Sequence, residues 1–139
     1  MMIFKILLVI AVTYSFVYAY ESKKSTKEIF DHWRRLSEKD HPECIKAWNV
    51  SEEDLDRYFR LYEFPDKRNF KCFMDCLYKG FNLINKDGTI NRDELVKGFE
   101  KVSNEMIEYC NARIVTKTDD CERIHEFADC LVHYGHVYF

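Results

Sequence analysis

The chain predicts an all-α domain, and three observations carry that prediction. Apolar residues recur at three- and four-residue intervals, and no run alternates in the period-two manner of a half-buried strand. Helix breakers are scarce, with two prolines and four glycines in 139 residues, so long stretches are free to stay helical. Six cysteines, Cys44, Cys72, Cys76, Cys110, Cys121 and Cys130, are spread over these stretches. An even cysteine count behind an export signal implies three disulfides rather than redox or metal chemistry.

The export signal is the first element. Lys5 supplies a positive end, Ile6 to Val12 the apolar run, and Val17-Tyr18-Ala19 a small-residue cleavage site. The apolar run is too short to span a bilayer. Residues 1–19 are therefore expected to be removed, leaving a secreted, extracellular domain over 20–139 with its net charge moved from −3 to −4. No later stretch is strongly basic or long and apolar, which argues against nucleic acid, and against membrane insertion, as the basis of function.

Six helices follow. The first is expected over Lys24 to Asp40, with Ile29, Trp33 and Leu36 on one stripe and Pro42 closing it. The second starts behind Ser51, a good N-cap followed by Glu52, Glu53 and Asp54, where the helix dipole favours negative charge. It carries Leu55, Tyr58 and Phe59 and stops by Pro65. The third, Asp66 to Leu83, is central, with Phe73, Leu77 and Phe81 on a stripe flanked by Met74 and Tyr78. Asn85 to Thr89 reads as a turn. The fourth helix begins near Asn91 with Leu95, Phe99 and Val102; the fifth spans Asn104 to Val115 with Met106, Ile107 and Cys110. The sixth, Asp119 to Tyr134, carries Ile124, Phe127, Leu131 and Val132.

The cysteine spacings constrain the bridges. Cys72 and Cys76 stand at i and i+4 on one helix, which holds their Cβ atoms about 5–6 Å apart. A disulfide needs about 3.5–4.5 Å. Cys121 and Cys130 are about half a turn out of phase and roughly 13.5 Å apart along theirs. Neither pair can bond internally, which leaves ten of the 15 pairings open.

The x3 gap between the second and third cysteines, the x8 gap between the fifth and sixth, and the stretch from Lys71-Cys72-Phe73 through Cys76 to Asp87-Gly88 resemble the insect odorant-binding family, also called pheromone-binding or general-odorant-binding proteins. The resemblance covers essentially the whole chain after the signal. It implies pairing first to third, second to fifth and fourth to sixth, here Cys44–Cys76, Cys72–Cys121 and Cys110–Cys130. It further implies a carrier of small hydrophobic molecules such as odorants or pheromones, with an olfactory receptor as a further partner, no cofactor, and a monomer or weak homodimer.

Cross-links allow a domain of this size to tolerate an unfilled apolar interior. The cavity-wall candidates are Phe73, Leu77 and Phe81, then Leu95 and Phe99, then Ile124, Phe127 and Leu131; tyrosine hydroxyls can add one polar anchor. The tail after Cys130, through His133 and His136 to Tyr138 and Phe139, is expected to fold over the cavity mouth, so Tyr138 and Phe139 join the candidates.

Other motifs offer rival chemistry. Residues 83–94 have the outline of an EF-hand, with Gly88 at position six and Glu94 at twelve, but Leu83 stands where the first Asp ligand belongs. An ordinary Asp-Gly turn explains the same residues, and a secreted calcium-binding module is the alternative reading. A non-olfactory interaction protein on the same scaffold is another. The five histidines read as solvent-facing or hydrogen-bonded groups, so no metal site is expected. No nucleophile elbow or comparable constellation points to an enzyme, and no catalytic residue is assigned. Asn49-Val50-Ser51 is an N-glycosylation sequon on an expected surface loop.

Overall fold

A computed structural model describes residues 24–135. Seven helices make up this part of the chain: α1 Thr26–Asp40, α2 Pro42–Ala47, α3 Glu52–Leu61, α4 Arg68–Gly80, α5 Arg92–Gly98, α6 Asn104–Ile114 and α7 Asp120–His133. Among the described residues there is no strand, and one isolated antiparallel bridge joins Ile84 to Ile90. The expected signal segment, 1–19, and the expected lid residues His136, Tyr138 and Phe139 lie outside the described residues.

Local chemistry sets most helix starts. Ser25 Oγ accepts from the Glu28 amide at 3.2 Å while the Glu28 carboxylate accepts from the Ser25 amide at 2.7 Å, a reciprocal capping box. Ser51, Asn91, Ser103 and Asp119 cap α3, α5, α6 and α7 through side-chain oxygens that accept from the amide three residues on. The seventh helix arises at Pro42. The sequence reading has this proline ending the first helix, and it also starts α2, because its fixed φ and missing N–H suit the first helical position. The central helix stops at Gly80, short of Leu83. Asn82 turns left-handed at φ 58°, the Leu83 amide reaches back to the Tyr78 carbonyl at 2.8 Å, and Leu83 and Ile84 are buried beyond the turn.

Helix α4 is the hub. Phe70, Phe73 and Met74 are wholly buried. Its partner α7 runs alongside, with Ile124, Phe127 and Ala128 equally buried. The two are tied by Cys72–Cys121 and by Arg68–Asp119, Lys71–Glu122 and Lys79–Asp120 ion pairs. Cys44–Cys76 pins α2 to α4 one turn further along, and Cys110–Cys130 pins α6 to α7. Helix α1 packs across α2 and α3, where the Arg34 guanidinium gathers Glu38, Glu52 and Asp56. The bridges thus join four helices into a frame and leave α1, α3 and α5 to close one side by packing.

Candidate functional site

That closing side bounds a partly open, mainly apolar cavity of about 260 Å³. Ile29 and Phe30 of α1 form one wall, Tyr58 of α3 and Tyr78 of α4 another. Leu95 of α5, then Phe99 and Val102 in the connection to α6, and Met106 of α6 form the third. Leu131 and Val132 of α7, with Tyr134 just after it, complete the wall. Its polar groups are few: the two buried tyrosines, Tyr134, and a rim where Lys101 Nζ lies 3.2 Å from Thr26 Oγ1.

The wall is stiff where aromatic rings lock it. Tyr58 lies among Phe30, Phe59, Phe64 and Phe70 at centroid distances of 5.5, 4.7, 5.0 and 5.6 Å, mostly edge to face. Phe99 stacks on Trp33 at 4.5 Å with planes 8° apart, and Trp33 donates its indole N–H to the Gly98 carbonyl at 3.3 Å. Gly98 permits this approach: a Cβ there would come within 2.9 Å of the Trp33 ring. Burial raises the pKa of both Tyr58 and Tyr78 above the ordinary phenol value, and for Tyr78 the neighbouring Tyr58 adds to the effect.

The structure distributes the sequence candidates over three places. Leu95, Phe99 and Leu131 line the cavity. Phe73, Leu77, Ile124 and Phe127 are core residues outside its lining, because the inner stripes of α4 and α7 face each other and fill the space between them. Phe81 lies in a neighbouring cleft of about 270 Å³, against Trp33 and His41, whose rim carries Lys24, Glu94, Lys97 and Glu100. Phe30, Tyr58, Tyr78, Met106 and Tyr134 are wall residues that the sequence reading left unassigned. Tyr58 and Tyr78 did carry a signal, since each places a hydroxyl on an otherwise apolar stripe.

The EF-hand-like loop is held by its own groups. Leu83 is buried, Asp87 Oδ1 accepts from the Thr89 amide at 3.0 Å and hydroxyl at 2.6 Å, and the Gly88 carbonyl accepts from Arg123 at 2.7 Å. Gly88 takes φ +86°, as the turn requires. Among the described residues no group of three or more His, Cys, Asp or Glu side chains is placed to hold a metal ion. Asn49 is exposed and left-handed at φ 46° in the α2–α3 connection.

The sequence matches the PBP/GOBP family over residues 24–134, all but the last of the described residues. The chain belongs to the PBP/GOBP family. Its relatives include general odorant-binding protein 2 of Bombyx mori, 27% identical over 124 residues that cover 80% of this chain and 77% of the relative. General odorant-binding protein 19d of Drosophila melanogaster is 24% identical over 99 residues, 64% of this chain and 65% of that protein. The long form salivary protein D7L1 of Anopheles atroparvus is 29% identical over 90 residues, which is 64% of this chain but 28% of the salivary protein's length. No solved structure gives a significant match. This PBP/GOBP member therefore combines a triply bridged helical frame with an interior lined almost wholly by apolar and aromatic side chains.

Proposed function

We propose that the protein is a secreted carrier that binds small hydrophobic molecules, odorants or pheromones among them, in the cavity between α1, α3, α5 and α7 and transports them through extracellular fluid. The observation that carries the reading is the cavity wall itself: a space of about 260 Å³, lined by Ile29, Phe30, Leu95, Phe99, Met106 and Leu131, inside a frame held open by three bridges. A space lined mainly by apolar groups takes apolar molecules. Its volume lies just below the range of drug-sized pockets, which suits a smaller ligand. Burial of ligand surface drives binding at roughly 25 cal/mol per Å², and no cofactor or covalent step enters.

Family membership and the general odorant-binding relatives support the same reading. The similarity to a salivary protein favours a second one, in which the scaffold carries its ligand in a secretion outside olfaction; tissue location separates the two. The carrier reading is tested by native mass spectrometry of the protein purified from its source. A bound apolar small molecule, lost on partial unfolding, is the expected result. A ligand-free protein that also fails to take up a fluorescent apolar probe would rule the reading out.

A further inference from the structure

Two buried oxygens in the cavity wall have no partner. Tyr58 and Tyr78 are 8% and 6% exposed, and neither hydroxyl has a hydrogen-bond partner among the described residues. The buried side-chain oxygen that is both unbonded and sealed from any space is Asp75 Oδ1, not either phenol. The two hydroxyls are thus unbonded but not sealed, and the space both residues line is the cavity. They come from different helices, α3 and α4, and their rings are packed. Tyr58 is fixed by four phenylalanines, and Tyr78 lies edge-on to Phe127 at 6.5 Å. A hydroxyl on an immobile ring, facing apolar space, is a preorganised hydrogen-bonding group.

We propose that the hydroxyls of Tyr58 and Tyr78 form a head-group site that selects ligands carrying one uncharged oxygen, a carbonyl or hydroxyl on an apolar chain, over both the plain hydrocarbon and the carboxylate. The inference rests on the carrier reading above. Against the hydrocarbon, the argument is desolvation. Filling the cavity with an alkane strips both hydroxyls of water and returns no partner, which costs the net value of a hydrogen bond or more. Against the carboxylate, the argument is charge. The cation on the cavity wall is Lys101, which is exposed at the rim beside Thr26, so a carboxylate at the tyrosines would be buried without a counter-ion. Both phenols are protonated at neutral pH, since a phenol ordinarily titrates at about 10 and burial raises both further, so each is available to donate.

The experiment is displacement of a fluorescent apolar probe, at neutral pH, by decane, decanal, decanol and decanoate. It compares the wild-type protein with Tyr58→Phe, Tyr78→Phe, the double Phe variant and Lys101→Ala. Decanal and decanol should bind the wild type about tenfold more tightly than decane and decanoate. Each single substitution should erode that preference, and the double variant should bring decanal to within about twofold of decane without weakening decane itself. Lys101→Ala should leave the ranking as it is. Equal binding of all four ligands by the wild type, or a preference that survives in the folded double variant, would overturn the head-group site while sparing the carrier reading. Tightest binding by decanoate, lost in Lys101→Ala, would move the anchor to the rim and also overturn it. Failure of every ligand, decane included, would overturn both. The single Phe variants remove one oxygen each, and the wild-type ranking needs no variant, so the outcome does not depend on the double variant folding.

Discussion

Asp54 shows how one side chain serves both a helix start and the core. It is 2% exposed, its amide is capped by Ser51 Oγ at 3.1 Å, and both carboxylate oxygens accept from Lys67 Nζ at 2.9 Å. Lys67→Ala leaves that carboxylate buried without its cation and should cost about 1–3 kcal/mol, against less than about 0.5 for Lys97→Ala on the surface, both read by urea denaturation. His125 sets a pH dependence. Its ring packs against Phe64 and Phe70, and its Nε2 lies 3.2 Å from the Pro65 carbonyl. Burial, and then the charge of Lys71, lower its pKa, outweighing the Pro65 carbonyl and the carboxylates of Asp129 and Asp66. The unfolded chain therefore takes up the proton first. Stability is fully present above the ordinary histidine value of about 6.5 and falls as the pH drops below it toward the lower folded value. Melting temperatures should decline between about pH 7 and pH 5, and His125→Gln should flatten that decline. At lower pH a second loss follows from Asp119, which Arg68 holds at about 2; its contribution is present above the ordinary carboxylate value and disappears as the pH falls toward 2.

At the scale of elements, the bridges rank by the loops they close. Cys72–Cys121, Cys44–Cys76 and Cys110–Cys130 span 49, 32 and 20 positions. Chain entropy assigns them about 4, 3.7 and 3.3 kcal/mol respectively. Replacing both cysteines of a pair by serine should therefore cost most for Cys72–Cys121, and the order is measurable by thermal unfolding under non-reducing conditions. The connection between α2 and α3 is the element that carries Asn49. Its exposure and its place at a turn leave room for a glycan, so we expect the protein secreted from eukaryotic cells to run heavier than the bare chain over 20–139; a mass equal to that chain less six hydrogens would dismiss this.

Over the whole molecule, stability and the proposed ligand binding should be separable. Phe127 is wholly buried between helices and does not line the cavity, whereas Phe99 is partly exposed, stacks on Trp33 and does. Phe127→Ala should cost about 3–5 kcal/mol in urea denaturation. Phe99→Ala should cost less, because fewer of its contacts are buried, yet change the affinity for an apolar probe more. If the two variants lose stability equally and Phe99→Ala binds the probe like the wild type, the cavity described here is not the binding site. The frame explains the division of labour: α4 and α7, with their bridges and ion pairs, form the filled half, and α1, α3 and α5 form the half with space in it.

Local pattern was enough for the helical class, the cap at Ser51, the helix starts near Asn91 and Asp119, the tight turn at Asp87-Gly88, and the exclusion of Cys72–Cys76 and Cys121–Cys130 as pairs. Each depends on groups within one or two turns of each other, which spacing along the chain specifies directly. Pro42 starting a helix, and α4 ending at Gly80, were less legible. A proline both stops and starts helices, and a left-handed Asn82 has no sequence signature as strong as glycine. The cavity was the hardest part to read. Phe73 and Phe99 look alike on a helical stripe, and only the packing of α4 onto α7 puts one into solid core and leaves the other beside empty space. Periodicity tells which side of a helix is apolar; whether that side meets another helix or a void is decided by how seven helices, held by three bridges, fill the volume between them.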